Sequence, residues 1–273
     1  MTDPTGWRHV RDNVCMLQNA HADRIEAEFR DNARFNAEHV DIKRFGEVRT
    51  FYSKDAGFHQ RAILSGDETL EQVDEVLQHF VDKKSACWIE INPANFYSSD
   101  PASQGSKILP HLLQRGYVIA NFRAVWVRDM PLAADEQDFR LDCRSVENSI
   151  VYAQSQLAAG FNNISEKSLT IEADSGSFSY VGYHEGRDVC WATMFCEGES
   201  AYLMNAHTHD DFLCRGFHGQ MIRLRVRHAF EMGAHRVYTH TEFNGQSARN
   251  LQRNGFQLAY NCILIVREPV PFN

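Results

Sequence analysis

A glycine-containing loop between a strand and a helix carries the clearest chemical signal in the sequence. The segment CRGFHGQMIRLRVRHAF spans 214–230, and Gly216 and Gly219 stand where its backbone turns into the helix. Such a turn leaves the first backbone amides of the helix open at the positive end of the helix dipole. That combination suits a phosphate or pyrophosphate group. We expect the open amides to be those of Phe217, His218, Gly219 and Gln220.

Arginine side chains add positive charge to this loop. Arg215 precedes the first glycine, and Arg223 and Arg227 stand one turn apart on the following helix. A helix dipole at a surface contributes only about 0.3–1 kcal/mol, so several amides and charges must act together. Considered alone, the segment also fits an ordinary helix entry with a solvated basic face.

The strand before the loop offers groups that could transfer protons. Strand alternation places Asn205, His207 and His209 on one face, and Ala206 and Thr208 on the other. An imidazole titrates near neutral pH and can act as a base, whereas a tyrosine is a better acid or hydrogen-bond donor.

The same strand nearly spells a zinc-hydrolase signature, HxHxDH. Within AHTHDDF (206–212), His207, His209 and Asp211 could share a metal ion. The residue after Asp211 is Phe212 rather than histidine, so the ligand set is incomplete. We therefore expect no metal and keep a zinc hydrolase as an alternative.

The pattern around these residues predicts a mixed α/β unit. A three-strand meander, with turns near Glu185-Gly186 and Glu197-Gly198, leads into the glycine loop and a helix. A meander that feeds a helix and a parallel strand forms a mixed sheet. The other predicted elements are a strand at 139–145, helices at 146–161, 219–232 and 245–253, a strand at 236–241 and a last strand.

A self-match between the two halves predicts two related units. LQRGYVIANFRAVWVRD (113–129) parallels LQRNGFQLAYNCILIVRE (251–268), each with a helix end at a glycine, an aromatic residue and an apolar strand. Upstream, residues 69–91 parallel residues 219–240 as a helix followed by a strand. The predicted units are 1–130 and 139–273.

The first unit lacks the features of an anion site. At the positions that match the glycine loop, it carries Gly66, Asp67 and Glu68. Two carboxylates would repel a pyrophosphate group, and both are suitable residues for the first turn of a helix. We therefore expect one anion site per chain, in the second unit.

Composition excludes several classes of protein. The net charge of -8 argues against a general nucleic-acid binder. The start of the chain has no apolar signal region, and no run of about 18 apolar residues occurs that could span a membrane. The seven cysteines are scattered without a CxxC pair, which is typical of free thiols in a reducing compartment. We expect a cytoplasmic protein.

The order of strand, glycine loop, helix, strand, Asn-x-x-Ser, helix and Gly-Phe resembles the GNAT superfamily of acyl-CoA N-acyltransferases. The family loop Arg/Gln-x-x-Gly-x-Gly/Ala matches residues 213–218, with its first glycine present and departures at Leu213 and His218. Asn244 and Ser247 stand at the family spacing. The chain looks closest to tandem-GNAT proteins in which one copy has lost its coenzyme loop.

The resemblance implies two GNAT-like mixed-sheet units, the C-terminal one complete, and an N-acetyltransferase with acetyl-CoA as co-substrate. The acceptor would be a small-molecule or peptide amine, and an inactive coenzyme A-binding regulator is the alternative. The family's usual base carboxylate falls on Tyr202 and its acid tyrosine on Leu251. The catalytic candidates are Tyr202, His207, His209 and Tyr260. The implied coenzyme contacts are Ala206, Thr208, Arg215, Gly216, Phe217, His218, Gly219, Gln220, Asn244 and Ser247.

Overall fold

The computed structural model of the chain describes residues 7–31, 37–54, 60–64, 68–92, 105–129, 131–132, 142–146 and 177–267. The helices are α1 (Trp7–Asp31), α2 (Leu70–Asp82), α3 (Gly105–Gln114), α4 (Phe217–Glu231) and α5 (Gln246–Arg253). The strands are β1 (Val40–Phe45), β2 (Val48–Ser53), β3 (Arg61–Leu64), β4 (Trp88–Ile91), β5 (Val118–Arg128), β6 (Asp142–Val146), β7 (Ser177–His184), β8 (Arg187–Glu197), β9 (Ser200–Thr208), β10 (Arg236–Glu242) and β11 (Gln257–Val266).

The predicted mixed α/β fold is confirmed, and the later helices and strands lie close to their predicted positions. The helix predicted at 146–161 falls outside the described ranges, apart from Val146, which ends β6. Gly66 and Asp67 also fall outside them. Among the helices described, none is long and apolar enough to cross a lipid bilayer.

The chain forms two compact units whose limits differ from the predicted ones. Unit 1 comprises Met1–Arg30, Phe35–Ala124 and Tyr260–Asn273, and unit 2 comprises Asp31–Arg34 and Val125–Ala259. The last residues count with unit 1 because β11 pairs antiparallel with β4, Ile263 opposite Ile91. The predicted bounds, by contrast, place the whole of β11 in the second unit.

Unit 1 contains the strand order β1-β2-β3-β4-β11, in which β3 and β4 are parallel. Helices α2 and α3 cover an apolar core that includes Val73, Phe80 and Leu112. A second cluster joins Ile25 and Phe29 of α1 to strand residues. Both clusters are fully buried, so this unit has its own core.

Unit 2 contains the strand order β10-β9-β8-β7-β6. Strands β9 and β10 are parallel, and the other neighbours are antiparallel, which gives the predicted meander followed by a crossover through α4. Met221, Ile222 and Val226 of α4 are buried at the apolar spacing of one helix face. This packing fixes the start of α4 at the end of β9.

The paired LQR segments end in the same way in three dimensions. Gly116 follows α3 with φ +81°, and Gly255 follows α5 with φ +80°. In each case the next aromatic residue, Tyr117 or Phe256, is buried and donates its amide back to a leucine carbonyl, at 3.2 and 3.1 Å respectively. These are Schellman-type helix ends, which require a residue that tolerates positive φ.

Alanine at either helix-ending glycine should lower the free energy of unfolding by about 1–2 kcal/mol, because an L-residue is strained at positive φ. Gly255→Ala should cost more than Gly116→Ala, since its Cβ would lie 2.5 Å from the Leu132 Cδ1 atom whereas Gly116 faces open space. Urea denaturation of both variants tests this order. Equal losses would mean that Leu132 moves aside freely.

Candidate functional site

The glycine loop of unit 2 places an uncapped helix start at the end of β9. A short 3₁₀ helix, Asp210–Phe212, leads into the loop, and α4 begins at Phe217 rather than at the predicted residue 219. Gly216 is the N-cap with φ +85° and ψ 0°, and as a glycine it has no side chain that could cap this helix start. The left-handed conformation at Gly216 turns the chain so that the helix amides are uncovered.

The structure corrects the set of open amides. Of the residues described, none offers a backbone carbonyl to the amides of Phe217, His218 or Gly219. Gln220 is the exception, because its amide donates to the Gly216 carbonyl at 3.1 Å and its side chain is buried. Three amides rather than four are therefore without a backbone partner among the described residues at this helix start.

Helix α2 of unit 1, which the sequence self-match pairs with α4, is capped at its start by its own residues. At the start of α2, the Thr69 hydroxyl accepts from the Gln72 amide, and the Gln72 side chain accepts from the Thr69 amide. This capping box satisfies two of the donors that an anion would need. Glu68, predicted to repel a phosphate there, is itself buried. The two helix starts thus differ in the availability of their amides.

The arginines near the loop have separate surroundings. The guanidinium of Arg215 lies over the Phe212 ring at 5.0 Å, and so does that of Arg187. Arg223 reaches toward the helix start, where its Nη1 donates to Asn254 at 3.1 Å. Arg227, by contrast, faces Glu231 at 3.7 Å, one turn toward the other end of α4. Arg215 and Arg223 are therefore the predicted cations that lie nearest the open amides.

His218 does not add positive charge to the loop. Burial, with a further contribution from Arg225, lowers the pKa of its imidazole to about 4. The Asn250 side-chain amide donates to His218 Nδ1 at 2.8 Å, which is consistent with a neutral ring. The side chain therefore ties α4 to α5, and only the backbone amide of His218 remains for an anion.

A bulge in β9 reverses the predicted face of His207. In the β8–β9 ladder Thr193 pairs with Met204, but Trp191 pairs with His207, so two residues of β9 oppose one residue of β8. Asn205, inside the bulge, has φ +49°. Because Trp191 and Thr193 share a face of β8, His207 shares the face of Met204 rather than that of Asn205.

His207 is a half-buried imidazole that lies among other aromatic rings. Its ring lies 5.3 Å from that of Trp191 and 5.8 Å from that of His209. Burial and the neighbouring His209 lower the pKa of His207 below its ordinary value. The Nε2 atom of His209 in turn lies 3.7 Å from an oxygen of Asp188. Because its pKa is lowered, the His207 imidazole can accept a proton at neutral pH.

The two tyrosine candidates are assigned to different units. Tyr202 is buried on β9, with its ring 5.0 Å from that of Tyr238 and 5.6 Å from that of His240. Tyr260 is half-buried on β11 and counts with unit 1. Tyr202 therefore belongs with the loop and His207, and Tyr260 does not belong to the same unit.

The geometry does not support the zinc alternative. In the described part of the chain, the ligand atoms of His207, His209 and Asp211 do not come within 4.8 Å of one another as a group. Asp211 is exposed on the short 3₁₀ helix, and His209 faces Asp188 instead. The HxHxD pattern therefore arises from a strand end and a turn.

The remaining predicted contacts lie on β9 and at the start of α5. Ala206 is exposed and Thr208 is buried on β9, while Asn244 (φ +58°) and Ser247 are exposed at the start of α5. Sequence reasoning missed several residues near these elements. Two signals in the sequence could have found some of them: the i, i+4 spacing of Asn250 and Asn254 and the strand alternation of Tyr238 and His240. The missed residues are Arg187, Arg225, Tyr238, His240, Asn250 and Asn254.

Comparison with known proteins identifies the fold. No family model matches the sequence, and no curated protein matches it. Solved structures do: a GCN5-related N-acetyltransferase from Kribbella flavida aligns with a TM-score of 0.67 and 13% identity, over 90% of this chain and 95% of that one.

Two further structures agree with this match. A tandem GNAT protein from the clavulanic acid biosynthesis pathway aligns with a TM-score of 0.57 and 11% identity, over 96% of this chain and 89% of that one. A GCN5-related N-acetyltransferase from Sphaerobacter thermophilus aligns with a TM-score of 0.57 and 13% identity, over 83% and 82% respectively. The chain has the fold of GNAT acetyltransferases.

Proposed function

We propose that this chain, which has the GNAT fold, is an N-acyltransferase that transfers an acetyl group from acetyl-CoA to an amine. The observation that carries the proposal is the open start of α4, where Gly216 is the N-cap and three amides have no backbone partner among the described residues. A helix start of this kind binds phosphate groups well. The GNAT fold supports acyl transfer as the class of reaction, and the glycine loop supports coenzyme A as the ligand.

The residues present fit the phosphates of coenzyme A. Arg215 is exposed beside the loop, and Arg223 lies on the first turns of α4, so two guanidinium groups complement the amides. The bulge at Asn205 interrupts the β8–β9 ladder, and strand groups left without a ladder partner can pair with the amides of the pantetheine arm. Ala206, Thr208, Asn244 and Ser247 are proposed as the other contacts.

His207 is the proposed base. An amine must lose a proton to attack a thioester, and a positioned base contributes about 10²–10⁴-fold to such a step. Burial holds the pKa of His207 below its ordinary value, which favours the unprotonated form, and the residue lies beyond the bulge, on the face that Tyr202 also occupies. The small-molecule or peptide amine would approach this face, and Asp210, whose charge raises the pKa of His207, would stabilise the protonated imidazole.

We expect one molecule of coenzyme A per chain. The capping box of Thr69 and Gln72 satisfies two of the amides at the start of α2, whereas the N-cap of α4 is a glycine, which has no side chain to cap the helix. Isothermal titration of the whole chain with coenzyme A should give a stoichiometry of one. A stoichiometry of two would mean that unit 1 also binds the coenzyme despite its capped helix.

A coenzyme A-binding regulator is the second candidate function. It is favoured by Leu251, which is buried at the position where the resemblance implies an acid tyrosine, and by the buried Tyr202. Assay of thiol release from acetyl-CoA with a panel of amines separates the two. Release above the amine-free rate supports the enzyme, and binding without release for any amine supports the regulator.

A further inference from the structure

Arg225 is a fully buried arginine at the junction of α4 with the bulged strand. It is 2% exposed, and its Nη1 donates to the carbonyl of Thr193 at 2.8 Å and to that of Met204 at 3.2 Å. Its Nε donates to the Met221 carbonyl of its own helix at 3.2 Å. Burying a guanidinium raises the free energy of the folded state unless its donors are hydrogen-bonded. A fully buried arginine at this junction therefore indicates a structural role.

The two strand carbonyls that Arg225 binds belong to the register pair beside the bulge. Thr193 pairs with Met204, and the next pair, Trp191 with His207, is shifted by one residue. The Thr193 hydroxyl also donates to the Met204 carbonyl at 3.2 Å. Met204 therefore receives two donors at the point where the β8–β9 ladder is interrupted, which stabilises the interrupted register.

The same side chain reaches the helix that starts at Gly216. Arg225 stands on α4 about two turns after this start, and its charge contributes to keeping His218 neutral. The Arg225 guanidinium thus connects α4, whose open amides are proposed to bind the phosphates, with β9, whose bulge is proposed to bind the pantetheine arm. These are the two halves of the proposed coenzyme site.

We propose that Arg225 is a positioning residue that holds the bulge of β9 in fixed relation to the start of α4, and so aligns the pantetheine part of the site with the phosphate part. The inference rests on the proposed function. It requires that loss of Arg225 affects the pantetheine arm more than the nucleotide, because the open amides of α4 do not depend on the Met204 carbonyl.

The test compares two ligands, coenzyme A and its phosphoadenosine diphosphate half, which lacks pantetheine. For Arg225→Met we expect the affinity for coenzyme A to fall by at least about tenfold, while that for the nucleotide half changes by less than about twofold. Arg225→Lys keeps the charge with fewer donors and should lose less of the affinity for coenzyme A. Arg227→Met, on the same helix but half-buried and facing Glu231 away from the loop, should leave both affinities unchanged.

The outcomes separate a positioning role from a general one. Equal losses for both ligands, or no loss for either, would overturn the role of Arg225. If Arg225→Met does not fold by circular dichroism, Arg225→Lys decides, with a loss confined to coenzyme A as the supporting result. A parent protein that binds neither ligand would overturn the proposed function itself, and the inference with it.

Discussion

Glutamate at Gly216 should reduce the affinity for coenzyme A by about a hundredfold or more, equivalent to about 2.8 kcal/mol. The side chain would carry a negative charge into the space beside the three open amides, where the phosphates are proposed to bind. Gly216 has φ +85°, so any other residue also strains the N-cap. Isothermal titration with coenzyme A measures the loss.

Two controls separate charge from backbone strain. Gly216→Ala has the same strain without the carboxylate, and its Cβ meets no atom within 4 Å, so it should lose far less affinity. Gly233→Glu places the same charge at a glycine with φ +93° at the other end of α4 and should bind normally. If Gly216→Glu keeps the parent affinity, the phosphates do not bind at this loop.

Alanine at His207 should lower the single-turnover rate of acyl transfer by at least about tenfold, or about 1.4 kcal/mol in the barrier, at unchanged affinity for coenzyme A. The base must be unprotonated, and burial lowers the pKa of His207. The parent rate should therefore be full at neutral pH and fall only in acid, below that lowered pKa. The variant should lack this acid limb.

The neighbouring groups supply the controls for His207. His209→Ala should have a smaller effect because this residue neighbours the proposed base, with its ring 5.8 Å from that of His207. Tyr202→Phe should have a smaller effect still because the Tyr202 ring is packed against Tyr238. His235→Ala, an exposed histidine of the same unit, should react at the parent rate. Parent rates in both the His207 and His209 variants would leave proximity or Tyr202 to carry the step.

Local patterns in the sequence were sufficient for the later elements. The apolar spacing of α4 and α5, the Gly-aromatic helix ends and the meander turns are short-range signals, and the structure has each of them near its predicted place. The glycine loop is also local, because positive φ at Gly216 follows from the need to turn from β9 into α4. These features depend on residues close together in the chain.

Helix α1 shows why other elements were missed. Its buried face mixes apolar residues with Gln18, His21 and Arg24, so the hydrophobic periodicity that predicts a helix is interrupted. The Nε2 atom of His21 lies 3.3 Å from the Oε2 atom of Glu90, a residue far away in the sequence. Polar groups can be buried there only because tertiary partners exist, and no local pattern reports those partners.

The sequence by itself determined the mixed α/β fold, the glycine loop and the residue types that could do acyl transfer. Tertiary structure decided where these residues lie and how their surroundings affect them. A bulge of one residue moved His207 to the face of Tyr202, because side chains alternate along a strand and one extra residue reverses the alternation. Burial made His218 neutral, and antiparallel pairing with β4 assigned the end of β11 to unit 1. Each of these outcomes depends on contacts between distant residues, which spacing along the chain does not encode.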